Sequence, residues 1–375
     1  MENYLGKEIG KLGFGLMRLP QKDDKIDIEQ VKTMVDMFME KGFTYFDTAY
    51  VYGKDGASEK AAKEALVDRY PRESFLLATK LPLFDLNVSI EELHQRFYTS
   101  LERTGAGYFD YYLIHNLGPG RKELAEKHDI WNWLLERKKE GLIRHLGFSM
   151  HDTAESLDEV LTAHPEAEFV QLQINYKDWE DNSVQSRACY EVAMKHGVPV
   201  IIMEPVKGGT LASLPLEAEA LMKQAKPDAS ISSWAVRYCA SLPGVITVLS
   251  GMSNIEQMAD NLSYMSDFRP IDDEEKAIIA KSLEIIESIP TIPCTKCKYC
   301  VEDCPMKINI PGILECVNLN TIYRNPARAR GEYKWVAGGE RGFAKDCIGC
   351  GRCEELCPQH IKIVDEMKKA SELLD

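Results

Sequence analysis

The sequence predicts an α/β chain: a (β/α)8 barrel over residues 1–288, then a smaller, mainly helical domain over 289–375. Three observations predict it. Short apolar runs alternate eight times with amphipathic segments of helical period. The first run lacks the glycine pattern that opens a doubly wound sheet, because Gly13-Phe14-Gly15-Leu16-Met17-Arg18 continues into Leu19-Pro20. Nine of the 11 cysteines fall between Cys294 and Cys357, so the chain changes character near its end.

Taken in order, the strand-like runs are residues 11–16, 45–47, 75–79, 111–114, 145–149, 169–174, 198–204 and 245–249. Short apolar runs of this kind suit parallel strands buried on both faces. The helix-like stretches between and after them are residues 28–41, 58–68, 89–104, 129–140, 153–163, 184–196, 230–240 and 254–265. Each has one apolar stripe to lay against a sheet.

The chain has 375 residues, enough for two domains, with ordinary hydrophobic (45%) and charged (28%) fractions. No apolar run is long enough to cross a bilayer. Residues 1–10 are polar where an export signal needs an apolar core, so a cytoplasmic protein is expected. A net charge of −14 argues against sequence-independent nucleic-acid binding. From residue 289 onward there are 13 Lys and Arg against 12 Asp and Glu, so the acidity belongs to the first part. The stretch Ile289-Pro290-Thr291-Ile292-Pro293 reads as the linker.

Cys294, Cys297, Cys300 and Cys304 precede Pro305, and Cys347, Cys350, Cys353 and Cys357 precede Pro358. Each set reads C-x2-C-x2-C-x3-C-P, the bacterial ferredoxin run for a [4Fe–4S] cluster. Three thiolates two residues apart can wrap one face of a cubane, while the fourth points away to the other cluster. Two clusters are therefore expected. Cys294, Cys297, Cys300 and Cys357 hold one, and Cys347, Cys350, Cys353 and Cys304 hold the other. Gly349 and Gly351 suit the tight approach of backbone N–H groups to sulfur. Zinc sites share the C-x2-C pair but need neither the third cysteine nor the C-P ending. A disulfide framework belongs to small secreted chains. Cys189, Cys239 and Cys316 have no partner at ligand spacing and read as small buried residues.

Between the two runs lie 42 residues, in which 311–319 read as helix and Gly338-Gly339 as a turn. This part resembles dicluster ferredoxin domains whose motifs are separated by helices. Arg324, Arg328 and Arg330 read as a solvated face, or as compensation for anionic clusters or a docking surface.

Chemistry in a barrel of this kind sits at the C-terminal ends of the strands. Asp47 closes the second run and Tyr52 follows five residues later; Lys80 follows the third run and His115 the fourth. An acid, a phenol, an amine and an imidazole thus converge on one rim. A phenol has an ordinary pKa near 10, too high for an efficient proton donor at neutral pH. An adjacent ammonium is expected to lower it, a carboxylate to hold the ammonium, and an imidazole to orient a carbonyl.

These residues, in this order, resemble the aldo-keto reductase superfamily over roughly residues 6–264. The most specific motif is Asp47-Thr48-Ala49-x-x-Tyr52-Gly53 followed by Ser58-Glu59. The resemblance implies Asp47, Tyr52, Lys80 and His115 as a catalytic tetrad, and NADPH or NADH bound across the barrel mouth. It places Ser149 and Gln173 on the nicotinamide carboxamide, with Gly15, Met17 and Met203 also at the cofactor. Glu204-Pro205-Val206-Lys207-Gly208-Gly209 would line the pyrophosphate, and Ser250, Gly251, Met252, Gln257, Asp260 and Asn261 the adenosine end. Three positions depart from the common pattern. Met150 stands for an Asn, Met203 for a stacking aromatic, and Gln257 for the Arg that pairs a 2′-phosphate. The union with a dicluster domain resembles a prokaryotic branch of that superfamily.

The expected activity is therefore NAD(P)H-dependent reduction of a small carbonyl, or oxidation of the alcohol, with two clusters serving electron transfer or structure. An electron-transfer or redox-sensing module on a retained barrel is the rival. A docking surface for a redox protein partner is a third reading. Substrate, cofactor preference and oligomeric state have no readable code in the sequence.

Overall fold

The computed structural model describes residues 3–5 and 7–375. The chain forms two compact units, Met1–Val206 with Ser233–Ile271, and Lys207–Ser232 with Asp272–Asp375.

The first unit carries a closed barrel of eight parallel strands. They are β1 (Leu12–Gly15), β2 (Tyr45–Asp47), β3 (Leu76–Pro82), β4 (Phe109–His115), β5 (Ile143–Met150), β6 (Phe169–Gln173), β7 (Val200–Met203) and β8 (Val245–Ser250). Each strand pairs with its neighbour in sequence, and β8 closes on β1 through Val248–Leu12 and Ser250–Phe14. All eight runs read from the sequence are strands, with ends displaced by a few residues.

Strand parity sorts the side chains. Tyr45, Leu76, Ala78, Tyr111, Leu113, Phe169 and Ile201 belong to one apolar cluster, joined by Ile9, Ile246 and Leu249. Their neighbours Phe46, Leu77, Tyr112, Ile114, Val170, Leu172 and Ile202 belong to a second cluster with helical residues such as Val31, Met34, Leu93 and Phe97. The first set fills the barrel and the second packs between strands and helices. Continuing the inward parity toward the C-terminal ends gives Asp47, Lys80, His115, Ser149, Gln173 and Met203.

The helices obey local rules. Ile90–Thr104 buries Leu93, Phe97, Ser100 and Thr104, one stripe at helical spacing. The Ser89 side chain caps it by accepting from the Glu92 N–H at 3.2 Å, an interaction worth about 1 kcal/mol. The expected helix 58–68 is instead Ala57–Ala62 followed by a π-turn, Lys63–Val67, in which the Asp68 N–H reaches the Lys63 carbonyl. Period alone does not encode such a widened turn. The structure also has a hairpin of Gln21–Lys22 and Lys25–Ile26 that no apolar run marks; Asp23 and Asp24 turn it with φ of 51° and 58°.

In the second unit, helices Leu216–Ala225 and Asp273–Ser288 pack together. Helices Ile310–Tyr323, Pro326–Val336 and Ile363–Leu374 enclose a core of Ile313, Leu314, Tyr333, Met367 and Ala370. Gly338 and Gly339 form a turn bridged from Gly338 to Arg341. Among the described residues, no helix is long and apolar enough to cross a membrane.

Candidate active site and cysteine pockets

Asp47, Lys80 and His115 end up on adjacent strands because each occupies the inward parity near its strand's C-terminal end. Lys80 Nζ donates to Asp47 Oδ1 at 2.6 Å and to the Thr48 carbonyl at 2.7 Å, and both charged side chains are buried. Tyr52 lies in the turn after β2, with its ring centroid 4.9 Å from Lys80 Nζ and 5.8 Å from the His115 ring. Phe84 also packs edge-on against His115, at 5.1 Å. The loop is held from below: Ser58 Oγ bonds Thr48 Oγ1 at 2.7 Å and donates to the Leu16 carbonyl at 2.9 Å. Buried Glu59 accepts from Thr79 Oγ1 at 2.8 Å and pairs with Arg103 at 3.3 Å.

Burial governs the protonation states. It pushes the Asp47 carboxyl up, against the pull of Lys80. It pushes the Lys80 ammonium down, but Asp47 and Tyr52 outweigh it and the net direction is up. Lys80 therefore stays charged. The expected lowering of the Tyr52 phenol does not occur in this structure. Burial raises it by more than Lys80 lowers it. Tyr52 therefore keeps its proton at neutral pH, beside the Lys80 ammonium. His115 is held well below the ordinary imidazole value, first by burial and then by Lys80, His151 and Arg121. It is neutral at pH 7, and its Nδ1 is buried with no protein partner.

At the neighbouring strand ends, Ser149 Oγ accepts from the Asn116 N–H at 2.8 Å, which leaves its own proton to donate. Gln173 is engaged at both ends of its amide, donating to Asp178 at 3.0 Å and meeting His151 Nδ1 at 3.1 Å. Met150 is buried, and Met203 Sδ accepts from Gln171 Nε2 at 3.6 Å. Gly15 ends β1 beside the Ser250–Gly251 backbone, and Met17 is exposed. Glu204 stands in the left-handed region at φ 58°, and its carbonyl accepts from Asn175 Nδ2 at 3.2 Å. Pro205 and Val206 lead into Lys207, Gly208 and Gly209, with φ of 50°, 62° and 95°. Such left-handed runs aim N–H groups outward.

Ser250 closes β8, and Met252 is buried. Gln257, Asp260 and Asn261 share one face of helix Ile255–Met265. Gln257 is turned onto its own loop, where its Oε1 accepts from the Ser253 N–H at 2.7 Å. Asn261 Oδ1 is buried without a partner. His151 and Arg121 were not singled out in the sequence. Their signal was available, since both follow strand ends.

Eight of the nine cysteines of the second unit line two open pockets, and buried Cys316 lines neither. One, of about 330 Å³, is lined by Cys294, Cys297, Cys300 and Cys357. The other, of about 370 Å³, is lined by Cys304, Cys347, Cys350 and Cys353. The two loops repeat each other's backbone. Lys296 and Lys298 have φ of 57° and 67°, and Gly349 and Gly351, at the matching positions, 68° and 76°. Lys307 and His360, three residues past the fourth cysteine of each run, share φ of 53°. Short helices Tyr299–Glu302 and Arg352–Glu355 correspond, as do the long helices starting at Ile310 and Ile363.

Residues 11–284 match the Aldo/keto reductase family, and residues 293–362 match the 4Fe-4S dicluster domain. The chain belongs to the aldo/keto reductase family. This aldo/keto reductase is 28% identical to the methylglyoxal reductase DkgB of Salmonella typhi over 273 residues, 72% of this chain and 92% of that one. It resembles the holo form of an aldo-keto reductase from Bacillus halodurans, with 25% identity, a TM-score of 0.58, and coverage of 74% and 93%. The fold is also that of an aldo-keto reductase from Klebsiella pneumoniae solved with NADPH, with 20% identity, a TM-score of 0.57, and coverage of 73% and 90%. The chain is thus an oxidoreductase whose barrel is joined to a 4Fe-4S dicluster domain.

Proposed function

We propose that the barrel reduces a small aldehyde or ketone, with NADPH or NADH as reductant. The observation that carries this reading is the sealed Lys80–Asp47 pair beside a protonated Tyr52 and a neutral His115. When bound, the nicotinamide supplies a hydride to the carbonyl carbon. His115 orients the carbonyl oxygen by a hydrogen bond. Tyr52 gives that oxygen its phenolic proton, and Lys80 stabilises the phenolate that remains. Asp47 keeps Lys80 charged and aimed. Solvent returns the proton to Tyr52, so the balance is one hydride and one proton per alcohol formed. Ser149 and Gln173 are the groups we assign to the carboxamide, and the turn Glu204–Gly209 to the phosphates. The adenosine end falls to Ser250, Gly251, Met252, Gln257, Asp260 and Asn261, with Gly15, Met17 and Met203 at the nicotinamide. The unpartnered Asn261 oxygen and the free Ser149 proton fit a polar ligand at these places.

In the dicluster domain we assign one [4Fe–4S] cluster to Cys294, Cys297, Cys300 and Cys357, and a second to Cys304, Cys347, Cys350 and Cys353. Four thiols around each cavity fit that group in number and kind. When bound, each cluster passes one electron at a time. Cys297 and Cys350 are exposed, which favours exchange with an external redox protein as a second role.

Replacing Tyr52 by Phe tests the mechanism. Reduction of a small aldehyde at saturating NADPH is expected to fall by about 100-fold or more. An unchanged kcat would sink it.

A further inference from the structure

The site as described has no group for any part of the substrate except its carbonyl. The loops beyond β3 and β4 supply one. Phe84, on the loop after β3, is nearly half exposed and stands between two groups: His115, at 5.1 Å between ring centroids, and the guanidinium of Arg121, at 5.8 Å from its ring. Arg121 opens the short helix Arg121–Lys127 that follows the β4 loop.

Three features of Arg121 bear on what it could bind. Its guanidinium is only part-buried, and its hydrogen bonds go to neutral oxygens: Nε to the Asn116 carbonyl, and Nη2 to Asn116 Oδ1 at 3.4 Å. Among the described residues no carboxylate pairs with it, although Arg72, Arg96, Arg103 and Arg137 each have one. Anchoring by one edge leaves Nη1 and its protons free, and a guanidinium with a free edge is shaped to take a carboxylate. The other cation that bears on His115 is Lys80, which is already paired with Asp47, so Arg121 is the cation on this side with no carboxylate partner. A carboxylate also bears on this region: Glu204 acts on His151, but it lies 3.9 Å from Arg18.

We propose that Arg121 binds a carboxylate carried by the substrate, so that the carbonyl compounds reduced are small oxo acids or aldehyde acids. In this arrangement the carbonyl meets Tyr52 and His115, the chain or ring between packs on Phe84, and the acid end meets Arg121. This deepens the carbonyl-reductase reading and rests on it.

The test compares matched aldehydes, 4-carboxybenzaldehyde against benzaldehyde, with the full-length holoenzyme. The wild type is expected to favour the acid about tenfold or more in kcat/KM, chiefly through KM. Arg121→Gln should bring that ratio near one, and Arg121→Lys should restore part of it. In parallel, calorimetric titration should show benzoate binding more tightly than benzamide to the wild type and not to Arg121→Gln. A wild-type ratio near one overturns the proposal. So does an Arg121→Gln enzyme that loses both rates equally and keeps the ratio, because Arg121 would then merely pin the Asn116 turn. If neither aldehyde is reduced, the carbonyl-reductase reading fails, and the benzoate titration still decides whether Arg121 is an anion site.

Discussion

Lys80 Nζ lies 2.6 Å from Asp47 Oδ1, and neither side chain reaches solvent. A pair in this setting is weak evidence for stability, because removing two charges from water costs about as much as their attraction returns. Breaking it is another matter, since it leaves one buried charge uncompensated. Asp47→Ala is therefore expected to lower stability by about 3–5 kcal/mol, read from the urea midpoint. The double variant Asp47→Ala with Lys80→Met should recover part of that loss while remaining inactive. A single variant with unchanged stability would show that the pair is solvated.

The Tyr52 phenol is raised by burial, so the acid stays protonated beyond the ordinary phenol value of about 10. Reduction is then expected to hold through neutral pH and to fall only as pH rises past that value. A pH profile of kcat/KM that declines already between pH 7 and 8 would contradict this direction.

His115 titrates in the opposite sense. Its folded-state value lies well below the ordinary imidazole value of about 6.5, so below that pH the unfolded chain binds a proton that the folded chain does not. Its contribution to stability is present above pH 6.5 and is lost as pH falls. The stability difference between wild type and His115→Gln should move against the wild type between pH 7.5 and 5.5. Parallel denaturation curves for the two proteins would refute the assignment.

The grouping of the cysteines can be decided by iron content. With Cys357 joined to the first trio, Cys300→Ala combined with Cys357→Ala damages one cluster only, leaving about four irons per chain. Cys300→Ala combined with Cys304→Ala damages both. If each run held its own cluster, the two results would be exchanged.

Gly208 is left-handed at φ 62°, and a Cβ placed there would lie 2.7 Å from Arg328 Nη2. Gly208→Ala carries both the conformational cost and a displaced guanidinium. A loss of about 1–2 kcal/mol is expected, together with weaker binding of NADPH measured by fluorescence titration. Wild-type values for both would show that the turn is free to rearrange.

Much of this protein could be read from its residues alone. Eight alternations of apolar run and amphipathic stretch determine the barrel, because period 2 and period 3.6 are local properties. Asp47, Lys80 and His115 were legible because a strand's C-terminal end is visible in sequence. The grouping of eight cysteines around two pockets was legible because their spacing is a distance along the chain. Other features depend on what lies across space. The sign of the Tyr52 shift follows from burial outweighing a nearby ammonium, and no spacing records that balance. The matched backbone of the two cysteine loops is carried by Lys296 and Lys298 in one and by Gly349 and Gly351 in the other, so residue identity hid it. The place of Arg121 beside Phe84, with no carboxylate paired to it among the described residues, is set by the fold and by no spacing along the chain. The sequence by itself determined which elements form and which side chains face inward. Only the tertiary structure decided their solvation and their distant neighbours, and the charge states follow from those.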